Sequence, residues 1–106
     1  MYTPGHYDDS ICFWNQKSDA ILTGDTIFVG RTGRTVSSRS NIDDLYHSVY
    51  QIILKLPKHT MIYPGHHYGY KKNITIEENI KNSNFFNCNS KLEFIDVMKK
   101  FEENRQ

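Results

Sequence analysis

An α/β (α+β layered) fold, one mixed sheet with flanking helices, is what this sequence predicts. Three observations lead to it. Short β-prone apolar runs occupy the first quarter and the middle of the chain, amphipathic helical spacing follows the first of them, and two capping-box patterns stand in the last third. An antiparallel hairpin followed by strand–helix alternation places the chain among layered folds. The 106 residues are read as one domain, 1–106, with chain enough for a single core.

Each element has its own signal. Ser10-Ile11-Cys12-Phe13-Trp14 is apolar and β-prone, Asn15 to Asp19 reads as a polar turn, and Ala20-Ile21-Leu22-Thr23 returns as a second strand. Thr26-Ile27-Phe28-Val29 reads as a further strand or a loop. The glycines and hydroxyls from Gly30 to Ser40 predict an irregular loop, because they compete with regular pairing. A helix is expected from Asn41, a capping residue, with Asp43 and Asp44 in its first turn. Ile42, Leu45, Val49, Ile52, Ile53 and Leu56 recur at three- and four-residue spacing, and Pro57 ends the run. Thr60-Met61-Ile62-Tyr63 reads as a buried strand closed by Pro64-Gly65. Thr75-Ile76-Glu77-Glu78 and Ser90-Lys91-Leu92-Glu93 each open a helix, the second with Phe94, Val97, Met98 and Phe101 on one face.

Composition narrows the function classes. The net charge is +1 with acids and bases interspersed, so no basic tract argues for nucleic acid. Hydrophobic residues make up 38%, which is lean for a core and fits a chain that lacks part of its burying surface. No apolar stretch nears the roughly 18 residues of a membrane span, and the N-terminus does not resemble a signal peptide. Cys12 and Cys88 are far apart and form no Cys-x-x-Cys pair, which predicts free thiols in a cytoplasmic protein.

Three segments carry metal-capable side chains beside turn-forming glycines: Thr3-Pro4-Gly5-His6, Thr23-Gly24-Asp25-Thr26 and Tyr63-Pro64-Gly65-His66. Two histidines and a carboxylate are the nitrogen and oxygen donors that suit zinc or non-haem iron. Each stands just before or after a predicted strand, where a rigid scaffold gathers loop residues. His47 reads as a helix-surface residue and His59 as a solvated turn residue. His67 competes with His66 for one role. Arg31 and Arg34 read as loop solubilisers, and Cys12 as a small buried hydrophobe.

In this order and with these neighbours, the three segments resemble the C-terminal half of a metallo-β-lactamase-fold protein, and within that superfamily the glyoxalase II (hydroxyacylglutathione hydrolase) and persulfide dioxygenase branch. The resemblance implies a share of a four-layer αββα sandwich. It also implies one or two zinc ions, or iron, at a metal site. By the same likeness His6, Asp25 and His66 are metal ligands, with Asp25 bridging two metals or binding a single iron. Arg34 falls where the family carries a lysine or arginine that grips glutathione, and Tyr68 where a tyrosine contacts it. The implied reaction is hydrolysis of a glutathione thioester by metal-bound hydroxide. Its alternative is oxidation of glutathione persulfide at a mononuclear iron.

The chain departs from the family in having no His-x-His-x-Asp-His motif; its histidines are His6, His47, His59, His66 and His67. Val36 stands where the relatives have a tyrosine or an aspartate. A truncated product or fragment, weak or inactive alone, is therefore expected, and a non-catalytic, partner-dependent half-domain is the third reading. The inner sheet face would lack its cover, which predicts exposed apolar surface and self-association.

Overall fold

The first hairpin between named strands turns at Asn15. In the computed structural model, which describes residues 1–103, Asn15 Oδ1 accepts from the backbone N–H of Lys17 at 3.0 Å and of Ser18 at 3.3 Å. That side-chain turn folds β1 (Phe13–Asn15) back on β2 (Ala20–Gly24), with Phe13 opposite Leu22 and Trp14 opposite Ile21. The strand is shorter than the Ser10–Trp14 run, because Ile11 pairs instead with Tyr2 in an isolated bridge. The last three positions of the expected 1–106 domain lie outside the described residues.

Asn41 caps α1 (Ile42–His47) as expected, its Oδ1 accepting from the Asp44 N–H at 2.9 Å. The apolar spacing predicts one continuous helix to Leu56. Instead, the helix widens into a π turn over Ser48–Ile52 and tightens into a 3-10 turn over Ile53–Lys55. The widened turn coincides with the place where the N-terminal segment crosses. Ser48 is buried and its Oγ donates to the Pro4 carbonyl at 2.7 Å. Through all three pitches Leu45, Val49 and Ile53 stay buried, so the apolar pattern survives the change.

β3 (Met61–Pro64) follows and pairs parallel to β2, with Ile21 opposite Ile62 and Leu22 opposite Tyr63. β4 (Ile74–Thr75) joins β3 antiparallel. Two residues are too few to show periodicity, so this strand had no signal of its own. Thr75 then caps α2 (Ile76–Asn82), accepting from the Glu78 N–H at 3.1 Å, and Ser90 accepts from the Glu93 N–H at 3.2 Å to start α3 (Lys91–Glu103). Both N-caps therefore work as local chemistry, although the Glu78 carboxylate bonds Tyr70 and Lys71 and does not return to its cap. The result is a mixed four-stranded sheet in the order β1-β2-β3-β4 with three helices, the predicted class.

One face of the sheet packs on the helices. Ile21, Ile62 and Ile74 are fully buried with Leu45, Val49, Phe94 and Met98, and the Phe94 ring lies 5.6 Å from those of Tyr46 and Tyr50. The other face carries the cross-strand row Phe13, Leu22 and Tyr63, which are 63%, 54% and 43% exposed. Strands apolar on both faces are what a sheet between two layers requires. Cys12 and Cys88 are both free. Burial pushes the Cys12 thiol above its ordinary pKa, so it behaves as a small hydrophobe. Among the described residues no helix is long and apolar enough to cross a membrane.

Candidate metal and substrate site

Adjacent parallel strands deliver two of the three predicted ligands side by side. β2 and β3 run in the same direction, and the Gly65 N–H donates to the Gly24 carbonyl at 2.7 Å just past their ends. Asp25 follows β2, His66 follows β3, and His66 Nδ1 meets Asp25 Oδ1 at 2.8 Å. Loops beyond the carboxyl ends of parallel strands are where such folds gather side chains.

His6 arrives from the other direction. The Thr3-Pro4-Gly5 segment lies on α1 so closely that a Cβ at Gly5 would stand 2.3 Å from the Leu45 Cα, and Gly5 has φ +142°. Only glycine fits there. The Asn41 N–H donates to the Gly5 carbonyl at 2.8 Å and Ser40 Oγ to the His6 carbonyl at 2.6 Å, which fixes the turn. His6 Nδ1 lies 2.7 Å from the Arg34 carbonyl.

These contacts decide both tautomers. A carbonyl only accepts, so His6 Nδ1 carries a proton, and in the neutral ring Nε2 has the lone pair. A carboxylate also only accepts, so His66 Nδ1 donates to Asp25, which leaves Nε2 on the ring edge that points away from that carboxylate. Metal-binding histidines are oriented in this way, by a hydrogen bond from the other ring nitrogen. Asp25 Oδ2 accepts no hydrogen bond from any described residue. In kind, two imidazoles and a carboxylate fit zinc or iron. In number they are incomplete: no group of three or more His, Cys, Asp or Glu among the described residues is gathered so as to hold an ion.

His6, Asp25, Arg34 and Tyr68 line one cavity of about 210 Å³, together with Phe28 and Arg31. His66 joins it through the Tyr68 ring, which stacks on the imidazole at 5.2 Å and 18° and meets Phe28 edge-on at 4.9 Å. Four of the five residues singled out from the sequence thus share a cavity, and the fifth touches two of them. His47, His59 and His67 are exposed and stand apart from it, His59 beside Asp19 at 3.2 Å.

Several supporting residues had no sequence signal. Buried Asn79 of α2 donates to the Phe28 carbonyl at 2.9 Å and accepts from the Gly30 N–H at 2.8 Å, pinning the loop that leads to Arg31. Glu102 of α3 accepts from Thr35 through both backbone N–H (2.6 Å) and hydroxyl (2.8 Å), holding the loop just after Arg34. Burial, with the Arg34 charge adding to it, holds the Arg31 guanidinium below its ordinary pKa. An Asn inside a helix and a Glu near a helix end look like surface residues until their partners are known.

With this geometry in hand, known proteins place the chain. A family model described as the metallo-beta-lactamase superfamily matches residues 1–70. The chain is 34% identical over 91% of its length to the probable polyketide biosynthesis zinc-dependent hydrolase BaeB of Bacillus velezensis, covering 42% of that protein. It is 40% identical over 64% of its length to the hydroxyacylglutathione hydrolase of Francisella philomiragia, covering 27% of that protein. A crystal structure of ETHE1 from Myxococcus xanthus superposes on the whole chain with a TM-score of 0.86 and 34% identity, 45% of that structure being covered. The chain spans less than half the length of each. By the match of its first 70 residues and by its fold, the chain belongs to the metallo-beta-lactamase superfamily.

Proposed function

We propose that this chain supplies half of the active site of a metal-dependent hydrolase that cleaves a glutathione thioester, as the second half of a two-part sandwich. The observation that carries the reading is the pair of anchored imidazoles, both with Nε2 free, beside one carboxylate. His6, Asp25 and His66 would supply part of the ligand set for one or two ions, with further donors completing it. When bound, the metal supplies Lewis acidity and a water of lowered pKa. The chain's own residues do the rest. The Arg34 carbonyl and Asp25 hold the two imidazoles in the metal-binding tautomer. The Arg34 guanidinium pairs with a substrate carboxylate, which suits its planar fork, and Tyr68 closes the cavity beside His66. The relation to zinc-dependent hydrolase and hydroxyacylglutathione hydrolase relatives supports thioester chemistry.

The test is metal analysis of the purified chain together with hydrolysis of S-lactoylglutathione. The expected result is substoichiometric metal and little or no turnover by the chain alone, with both raised when the missing donors are supplied on a second polypeptide. Stoichiometric zinc and enzyme-like rates from the chain alone would overturn the half-site reading. The likeness to the ETHE1 structure favours a second reading, a mononuclear iron persulfide dioxygenase. Retention of iron with oxygen uptake on glutathione persulfide would select it.

The exposed Phe13, Leu22 and Tyr63 row supports self-association of the isolated chain. Light scattering is expected to show concentration-dependent dimers or larger species, and Leu22→Glu at the centre of the row is expected to shift them toward monomer. A wild-type chain that stays monomeric at high concentration would refute this.

A further inference from the structure

We propose that Arg31 and Arg34 form a two-guanidinium receptor for an oxyanion, with Arg31 as a specificity-determining residue beside the metal-ligand cluster. Arg31 stands among aromatic rings: its guanidinium carbon is 4.4 Å from the Tyr68 centroid, 4.9 Å from Phe28 and 5.2 Å from Phe101. Arg34 shares the Phe101 ring at 5.5 Å. These faces bring the two half-buried cations to a shared ring and shield them in part from water. Among the described residues neither guanidinium has a carboxylate partner within ion-pair distance, although the chain pairs Arg39 with Asp8 at 2.6 Å and Asp9 at 3.0 Å nearby.

Two of the guanidinium nitrogens support the proposal. Among the described residues, Arg31 Nη1 and Arg34 Nε are buried and have no hydrogen-bond acceptor. A buried charged donor left without an acceptor is costly, and two like charges held side by side add to that cost. Both residues line the cavity that His6 and Asp25 also line. A ligand entering it can bring the missing acceptors, at the end remote from the atom that reaches the imidazoles. Planar N–H forks suit a carboxylate or a phosphate, and the two share this chemistry. A thioester with an anionic tail would be held by that tail at Arg31 and Arg34, with its acyl group toward His6 and Asp25. The sequence shows Arg31 only as a polar loop residue; its aromatic surroundings come from three separate elements of the fold.

The inference rests on the cavity being the substrate site. Its test uses binding to the metal-free chain, so its failure and a failure of metal-dependent hydrolysis are separate results. The arginine Nε–H signals would be followed by NMR while succinate, and separately inorganic phosphate, is added. Saturable shifts at both Arg31 and Arg34 are expected, with the tighter of the two probes identifying the tail as carboxylate or phosphate. Arg31→Gln should weaken binding about tenfold or more, as loss of a charged hydrogen bond does. Arg31→Lys keeps the charge without the fork and should fall between, and Arg39→Gln should bind like wild type. Binding by Arg31→Gln equal to wild type, or no saturable shift with either probe, would overturn the proposal.

Discussion

Gly33→Ala is expected to destabilise the fold by about 3 kcal/mol or more and to detach His6 from its anchor. A Cβ at Gly33 would stand 2.0 Å from the Asp25 carbonyl oxygen, 2.9 Å from His6 Nδ1 and 3.0 Å from His6 Cγ. The loop crosses there between the turn that carries one candidate ligand and the ring of another. The Gly33 N–H also donates to the Thr26 carbonyl at 2.9 Å, so the backbone cannot withdraw without losing a hydrogen bond. For a chain of this size the loss corresponds to a melting temperature lower by roughly 10 °C or more. Thermal and urea melts measure it, and the His6 Nδ1–H resonance reports the anchor. Combining the substitution with His6→Ala should recover little, because the closest clash is with backbone. A variant that melts like wild type would show that the loop does not pass this closely.

Asp25→Asn is expected to act in the opposite way, leaving the fold nearly intact and removing metal affinity. The Asp25 side chain is 41% exposed, and an asparagine placed there keeps an oxygen to accept from His66 Nδ1. The stability change should stay within about 1 kcal/mol, as at other exposed polar sites. The negative charge and the second carboxylate oxygen are lost, and both matter to a cation. Removal of an outer hydrogen bond to a ligand already costs ten- to hundredfold in affinity, so removal of a ligand charge should reach about a hundredfold. Competition with a chromophoric zinc chelator measures it. Equal zinc affinity in wild type and Asp25→Asn would remove Asp25 from the ligand set.

The two substitutions illustrate different kinds of legibility. Asp25 announces itself: a carboxylate between a glycine and a hydroxyl residue, just past a β-prone run, in fixed order with His6 and His66. Gly33 is one of two glycines in a loop that the sequence marks only as irregular. Its importance comes from what crosses it, and that is set by Asp25 and His6, 8 and 27 positions upstream. Asn79 and Glu102 are similar. Each forms a hydrogen bond whose partner lies far along the chain, so no local pattern distinguishes it from a solvated polar residue.

The helices divide along the same line. Asn41, Thr75 and Ser90 each cap a helix by accepting from an N–H three residues ahead. Those bonds close within one turn and need nothing from the rest of the molecule. The π turn after His47 does depend on the rest, because it lies where Ser48 meets Pro4 across the core. Arg31 is the sharpest case: a loop solubiliser by its neighbours in sequence, and a cation enclosed by three aromatic rings in space.

From residue order alone came the strands and caps, the mixed layered class, the family resemblance, and the identity of His6, Asp25, His66, Arg34 and Tyr68 as residues of interest. These rest on periodicity, capping and short motifs, all of which act over a few residues. Folding added the tautomers of His6 and His66, the apolar face left exposed, the close crossing at Gly33 and the enclosure of Arg31. Each of those depends on which distant groups meet, and a contact between strands or across a loop leaves no trace in the spacing of either partner.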